Sequence, residues 1–138
     1  MERSLVDQVW RRANGICEYC LLPQEFDRLP FQIDHIIARK HRGSDDTDNL
    51  ALACFACNIH KGPNIAGVDP NTGDVIRLFH PRRDNWEEHF EWRGASLVGR
   101  TPIGRVTVDV LEINLPHRIR LREMLIAESV FPGRRVSG

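Results

Sequence analysis

Two Cys-x-x-Cys pairs constrain this chain more than any other feature. Cys17 and Cys20 form the first pair, Cys54 and Cys57 the second, and the chain has no other cysteine. A two-residue spacer lets both sulfurs of a pair point at one ion. Two such turns supply the four thiolates of a tetrahedral Zn²⁺ site. Disulfides would suit an oxidising compartment, and no secretory signal is evident before the pairs. A redox pair would leave the second pair unexplained. The spacing therefore predicts a structural zinc clamp. Residues 21–53 separate the pairs, more than a compact zinc ribbon holds, so this insert has to fold back and return its ends to the metal.

Within the insert, Phe31-Gln32-Ile33 reads as a short strand that delivers Asp34 and His35 at its end. Ala38 to Asp48 is polar loop chemistry around Gly43. Asn49-Leu50-Ala51-Leu52-Ala53 resumes an apolar segment into Cys54. Asn58-Ile59-His60-Lys61 can open a short helix that Gly62-Pro63 stops. Two extended segments, a loop and a helix make a ββα unit with metal at its centre.

The motifs Cys17-Glu18-Tyr19-Cys20, Ile33-Asp34-His35-Ile36, Asp48-Asn49-Leu50 and Cys54 through Gly62 resemble, in that order and spacing, the HNH nuclease family. The likeness covers about a third of the chain. The segment from Leu78 through Trp86 and His89-Phe90 to Gly104-Arg105 is similar to extensions found after this core in bacterial HNH proteins. The resemblance implies an α+β fold: a small ββα-metal core clamped by a four-cysteine zinc site, with an N-terminal helix and a C-terminal helical extension. It implies one HNH nuclease domain over residues 1–138, divided into an N-terminal helix (1–16), the clamped core (17–62) and a hairpin and helical extension (63–138).

The resemblance also implies residue roles. His35 is the general base, since a neutral imidazole takes a proton from water near neutral pH. Asp34 and Asn58 are ligands of a second, catalytic divalent ion. Two oxygen donors on an open site suit Mg²⁺ or Mn²⁺ better than a softer metal. Asn49, the middle letter of the family name, bridges backbone groups and keeps the His35 loop in register. His60 is an alternative third letter, but helical spacing turns it away from Asn58, so both reaching one ion is disfavoured. His60 is then a phosphate contact or an exposed residue. Lys61 is a phosphate contact, because a family lysine stands there. Arg39, Lys40 and Arg42, beside the site, complete the expected nucleic-acid contacts. The reaction implied is phosphodiester hydrolysis in DNA, leaving a 5′ phosphate and a 3′ hydroxyl, with a homodimer needed to cut both strands at once.

Composition bounds these readings. Hydrophobic residues make up 41% of the chain, enough for a modest core. No apolar run is long enough to span a membrane, and zinc-bound thiols suit the cytoplasm. The formal net charge is zero, which argues against tight nonspecific binding to nucleic acid. The basic residues are arginines except Lys40 and Lys61, and arginine is the better phosphate fork. Arg118, Arg120 and Arg122 form a cluster that is either a solvated face or a phosphate contact.

Outside the core, Ser4-Leu5-Val6-Asp7 reads as a capping box for a helix that ends at Asn14-Gly15 and packs over the clamp. Asp69 through Gly73 is a turn between Val68 and Val75–Phe79, hence a hairpin. Asp84-Asn85 caps a short helix through Phe90. Thr101-Pro102 opens a helix, and Pro116 opens a last one through about Glu128, with Ile119, Leu121, Met124 and Leu125 inward. His80 and His89 read as structural or DNA-contacting, and Pro132 to Gly138 as a mobile tail. The competing class is a zinc-stabilised nucleic-acid-binding or adaptor domain that does not cut. An aligned base and metal ligand, Asp34-His35 with Asn49 and Asn58, separates the two classes.

Overall fold

A computed structural model describes residues 1–132. The expected mobility of the tail falls largely on 133–138, outside the described residues. The fold is α+β. Helix α1 (Arg3–Ala13) precedes strands β1 (Gln32–His35) and β2 (Leu50–Ala53) and helix α2 (Phe55–Lys61). Hairpin β3 (Ala66–Val68) with β4 (Val75–Arg77) follows, then α3 (Trp86–His89), hairpin β5 (Phe90–Arg93) with β6 (Ser96–Gly99), and helices α4 (Pro102–Val110) and α5 (Pro116–Ala127). Among the described residues, no helix is long and apolar enough to cross a membrane.

The core is the β1–β2 hairpin backed by α2. The strands are antiparallel, with Asp34 opposite Ala51 and His35 opposite Leu50. All four β2 residues are buried, as a short continuous apolar run between covering elements should be. Helix α1 packs on β2 through Val9, and Trp10 stacks on Phe31 with ring centroids 6.1 Å apart. Thus α1 covers the hairpin. Its N-cap is Glu2, without a side-chain cap, and Ser4 lies inside the helix, so the expected capping box is absent. The C-terminal expectation holds: Asn14 is left-handed, at φ 55°. Arg12 reaches from α1 to the carbonyls of Thr47 (3.0 Å) and Leu50 (2.6 Å), pinning the loop into β2.

The extension packs on this core through aromatic rings. Phe79 meets Tyr19 edge-on at 6.4 Å and Phe90 at 5.2 Å, and Phe90 meets Trp86 at 5.1 Å. Trp86 Nε1 donates to the Tyr19 carbonyl at 2.9 Å. Burying each phenylalanine contributes about 1.5–3 kcal/mol, which fixes the extension against the clamp. The turn at Asp69–Gly73 closes the predicted hairpin, and Thr101 caps α4 through Gly104 N–H.

Two further expectations fail. The short α3 helix stops at His89, and Phe90 begins a β-hairpin that the sequence reading missed. Its two-residue loop, Gly94-Ala95, puts Gly94 at φ 58°, which a primed hairpin turn requires. The strands are four residues each, too short for alternation to stand out. On α5 the buried face is Arg118, Arg122 and Leu125, while Met124 is 64% exposed.

Candidate functional site

The clamp assembles from two knuckles. Leu21 N–H donates to the Cys17 carbonyl and Cys17 N–H to the Leu22 carbonyl, which tightens the first knuckle. Glu18 ties it to β2, accepting from Leu52 N–H at 2.7 Å while its own N–H donates to the Leu52 carbonyl. An Arg82–Glu18 ion pair braces that link from the extension. Cys54 caps α2 and receives Cys57 N–H on its sulfur at 3.3 Å. The four sulfurs, all buried, lie within 4.8 Å of one another. A tetrahedral ion with Zn–S bonds of ~2.3 Å spaces its sulfurs about 3.8 Å apart, and Cys20 and Cys54 stand at 3.7 Å. The set fits Zn²⁺, and the insert does return its ends to one point.

His35 closes β1 with its side chain 18% exposed, and its Nε2 lies 2.7 Å from Asp45 Oδ1. Arg39 also donates to that oxygen, from Nη2 at 2.9 Å. These contacts hold the Asp45 carboxyl below the usual range, the His35 bond most of all. The loop that carries Asp45 is locked by Asn49. Asn49 Oδ1 accepts from Ile37 N–H (2.9 Å), and Nδ2 donates to the carbonyls of Ile37 (3.0 Å) and Ser44 (2.8 Å). Gly43 sits where any side chain would strike the Ile37 carbonyl. The asparagine amide thus replaces a strand ladder where the backbone leaves β1.

Asp34 turns the other way, since neighbours in a strand project to opposite faces. It is 4% exposed. Tyr19 Oη donates to Oδ2 at 2.6 Å, and Lys61 Nζ to Oδ1 at 3.1 Å. Lys61 also donates to the His35 carbonyl at 3.1 Å. Burial raises the Asp34 carboxyl pKa, and the opposing pull of Lys61 and Tyr19 does not cancel it. Burial, then the Asp34 charge, pushes the Tyr19 phenol up in turn. Asn58 lies three residues before Lys61, on the same helical face, half-buried and with no side-chain hydrogen bond to a described residue. The donors suit a hard divalent ion in kind, a carboxylate and an amide oxygen. Each Asp34 oxygen holds one donor and can accept another, so an ion there would share the carboxylate with the Lys61 ammonium.

The basic residues divide. Lys40 and Arg42 are exposed in the loop that follows His35, while Arg39 is spent on Asp45. Lys61 is 1% exposed. As placed it meets Asp34 instead of solvent, which corrects the expected phosphate contact: an ammonium buried against a carboxylate is not offered to a backbone outside. His60 points elsewhere, with Nδ1 2.6 Å from Glu112 Oε2, as the helical spacing from Asn58 requires. His80 accepts Arg82 N–H on Nδ1, and His89 Nδ1 lies 2.6 Å from the Thr101 hydroxyl, both structural arrangements. Sequence reasoning missed Tyr19 and Asp45. Tyr19 lies inside the first Cys-x-x-Cys, where its ring has to turn inward. Asp45 is one of several loop acids with nothing local to single it out.

The sequence profile of the HNH endonuclease family matches residues 17–64. Septu protein PtuA of Bacillus mycoides (strain KBAB4) is 25% identical over 146 residues, covering 86% of this chain and 20% of its own length, so the chain spans about a fifth of that relative. No solved structure matches. The matched segment starts at the first clamp cysteine and ends just past α2, so the stretch similar to the HNH endonuclease family coincides with the folded core.

Proposed function

We propose that the chain is a metal-dependent endonuclease acting on DNA, built as a single nuclease unit over 1–138. One observation carries the reading. His35 is held at the strand end between Asp45 and the Asn49-locked loop, with ring and carboxylate at 2.7 Å. A proton on Nε2, donated to Asp45, leaves the Nδ1 lone pair to take a proton from water. Asp45 orients the ring and stabilises the imidazolium that forms, and Arg39 holds Asp45. Asn49 keeps the whole loop in register. Asp34, oriented by Lys61 and Tyr19, and Asn58 would hold Mg²⁺ or Mn²⁺, which when bound supplies positive charge for the scissile phosphate and the departing 3′ oxygen. Lys40 and Arg42 are the exposed cations that would meet the DNA backbone. Zn²⁺ in the clamp is structural, and zinc thiolates suit a reducing, cytoplasmic setting. One ββα site cuts one strand, so a duplex break takes two copies or two visits.

The test is supercoiled plasmid with Mg²⁺, with Mn²⁺ and with chelator, using the native chain and His35→Ala. The expected result is metal-dependent nicking that drops about 10²–10⁴-fold in the variant while zinc content is retained. Equal nicking by both removes His35 as base. Binding of DNA with no cleavage by either favours the adaptor reading.

A further inference from the structure

Helix α5 turns two arginines inward that the proposed cleavage chemistry does not use. Arg118 is 7% exposed and Arg122 3%. Buried guanidiniums are unfavourable unless an anion faces them, and neither forms an ion pair with a described carboxylate. Arg118 Nη2 lies 3.0 Å from Cys57 Sγ and 3.8 Å from Cys54 Sγ. Its Nη1 donates to the Leu111 and Glu112 carbonyls at 2.9 and 3.1 Å. Arg122, one turn on, donates to the carbonyls of Ala95 (2.7 Å) and Ile113 (2.9 Å) and sits 5.4 Å from the Trp92 ring centroid. Four thiolates around one divalent ion leave two negative charges. Arg118 and Arg122 bring two positive ones.

We infer that Arg118 is a positioning residue of the metal clamp: its guanidinium hydrogen-bonds the Cys57 thiolate, and a loaded clamp is what holds α5 in place. This rests on the zinc reading of the four cysteines. The clamp then secures the extension as well as the hairpin. The same arginine grips the α4–α5 connection at Glu112, and Glu112 holds His60 of α2, so helices from both halves close on one ion.

The experiment uses the full chain as purified, as Arg118→Met and as Arg118→Lys, each loaded with Zn²⁺ and with Co²⁺. Zinc transfer to a chromogenic chelator should be about tenfold or more faster in Arg118→Met, the loss usual for outer partners of metal ligands. The sulfur-to-cobalt charge-transfer band should move to lower energy, because a thiolate that loses a hydrogen bond holds its electrons less tightly. Lysine, charged but without the fork, should fall between. In the native chain, hydrogen exchange over 116–127 should quicken on zinc removal before exchange over 3–13. A folded Arg118→Met with native release rate and band overturns the inference, since a merely structural arginine would shift the melt and not the band. Where Arg118→Met does not fold, Arg118→Lys decides on the same two readouts. A native chain that binds neither metal overturns the zinc reading and the inference together; a loaded native chain with unchanged variants overturns the inference alone.

Discussion

Asp34 in the clamped core and Asp69 in the extension are both buried carboxylates facing a cation, and they are built for different ends. Asp69 is 1% exposed. Arg105 grips both its oxygens, at 3.0 and 2.8 Å, and Asn71 N–H adds a third bond at 3.0 Å. The Arg105 fork and then the Asn71 N–H hold its carboxyl at about 2. Asp34 has a single ammonium and a phenol, and its pKa lies above the ordinary value because burial outweighs both. A bidentate guanidinium answers a carboxylate fully. One ammonium leaves acceptor capacity unused. Asp69 is a bolt between the β3–β4 turn and α4; Asp34 keeps lone pairs unused.

Three substitutions or conditions bear on that contrast. Asp34→Asn should separate the two most. The amide still accepts from Lys61 but leaves that ammonium buried without a counter-charge, so stability should fall by about 3–5 kcal/mol while plasmid nicking per folded molecule falls about 10²–10³-fold. Native nicking rates in that variant would move Asp34 to the structural class. Lys61→Met should next cost about 3–5 kcal/mol in denaturant unfolding, because it leaves the Asp34 charge buried without a cation. A native midpoint would mean that the carboxylate reaches water. The mildest effect is on acid stability, where the two carboxylates have opposite signs. Asp69, lowered in the fold, contributes stability that is present above the ordinary carboxylate pKa of about 4 and lost as pH falls towards about 2. Asp34, raised in the fold, favours the native state below about 4 and loses that contribution as pH rises through its raised value. Asp69→Asn should therefore lower the melting temperature by several degrees near neutral pH, flatten the decline between about pH 4 and 2 and leave nicking per folded molecule unchanged. An unaltered acid limb would dismiss the Arg105 fork as the cause.

Much of the core could be read from the chain. Cysteine spacing, the stop at Gly62-Pro63, the turn at Asp69–Gly73 and the Thr101-Pro102 cap are local signals, and each element stands where they put it. The hairpin at Phe90–Gly99 was not legible, because its strands are short and its turn, Gly94-Ala95, carries only one of the residues that advertise such loops. Arg118 and Arg122 misled for a different reason. Charged residues on an amphipathic helix are ordinarily solvated, and α5 reverses that rule by turning both inward, Arg118 onto cysteine sulfur and Arg122 onto carbonyl oxygens. At the site, the place of Asp34 and His35 at the end of β1 followed from order and spacing. Their neighbours did not, since Tyr19, Asp45 and Lys61 are ten to twenty-seven residues from the groups they meet.

The sequence alone determined the clamp, the ββα order and the Asp-His step at the strand end, since each rests on spacing within a few residues, where backbone geometry leaves little choice. Only the tertiary structure decided which charges are buried and what answers them: Lys61 on Asp34, Asp45 on His35, Arg118 on the clamp. Desolvation and its compensation depend on everything packed around a group. No local pattern encodes that sum.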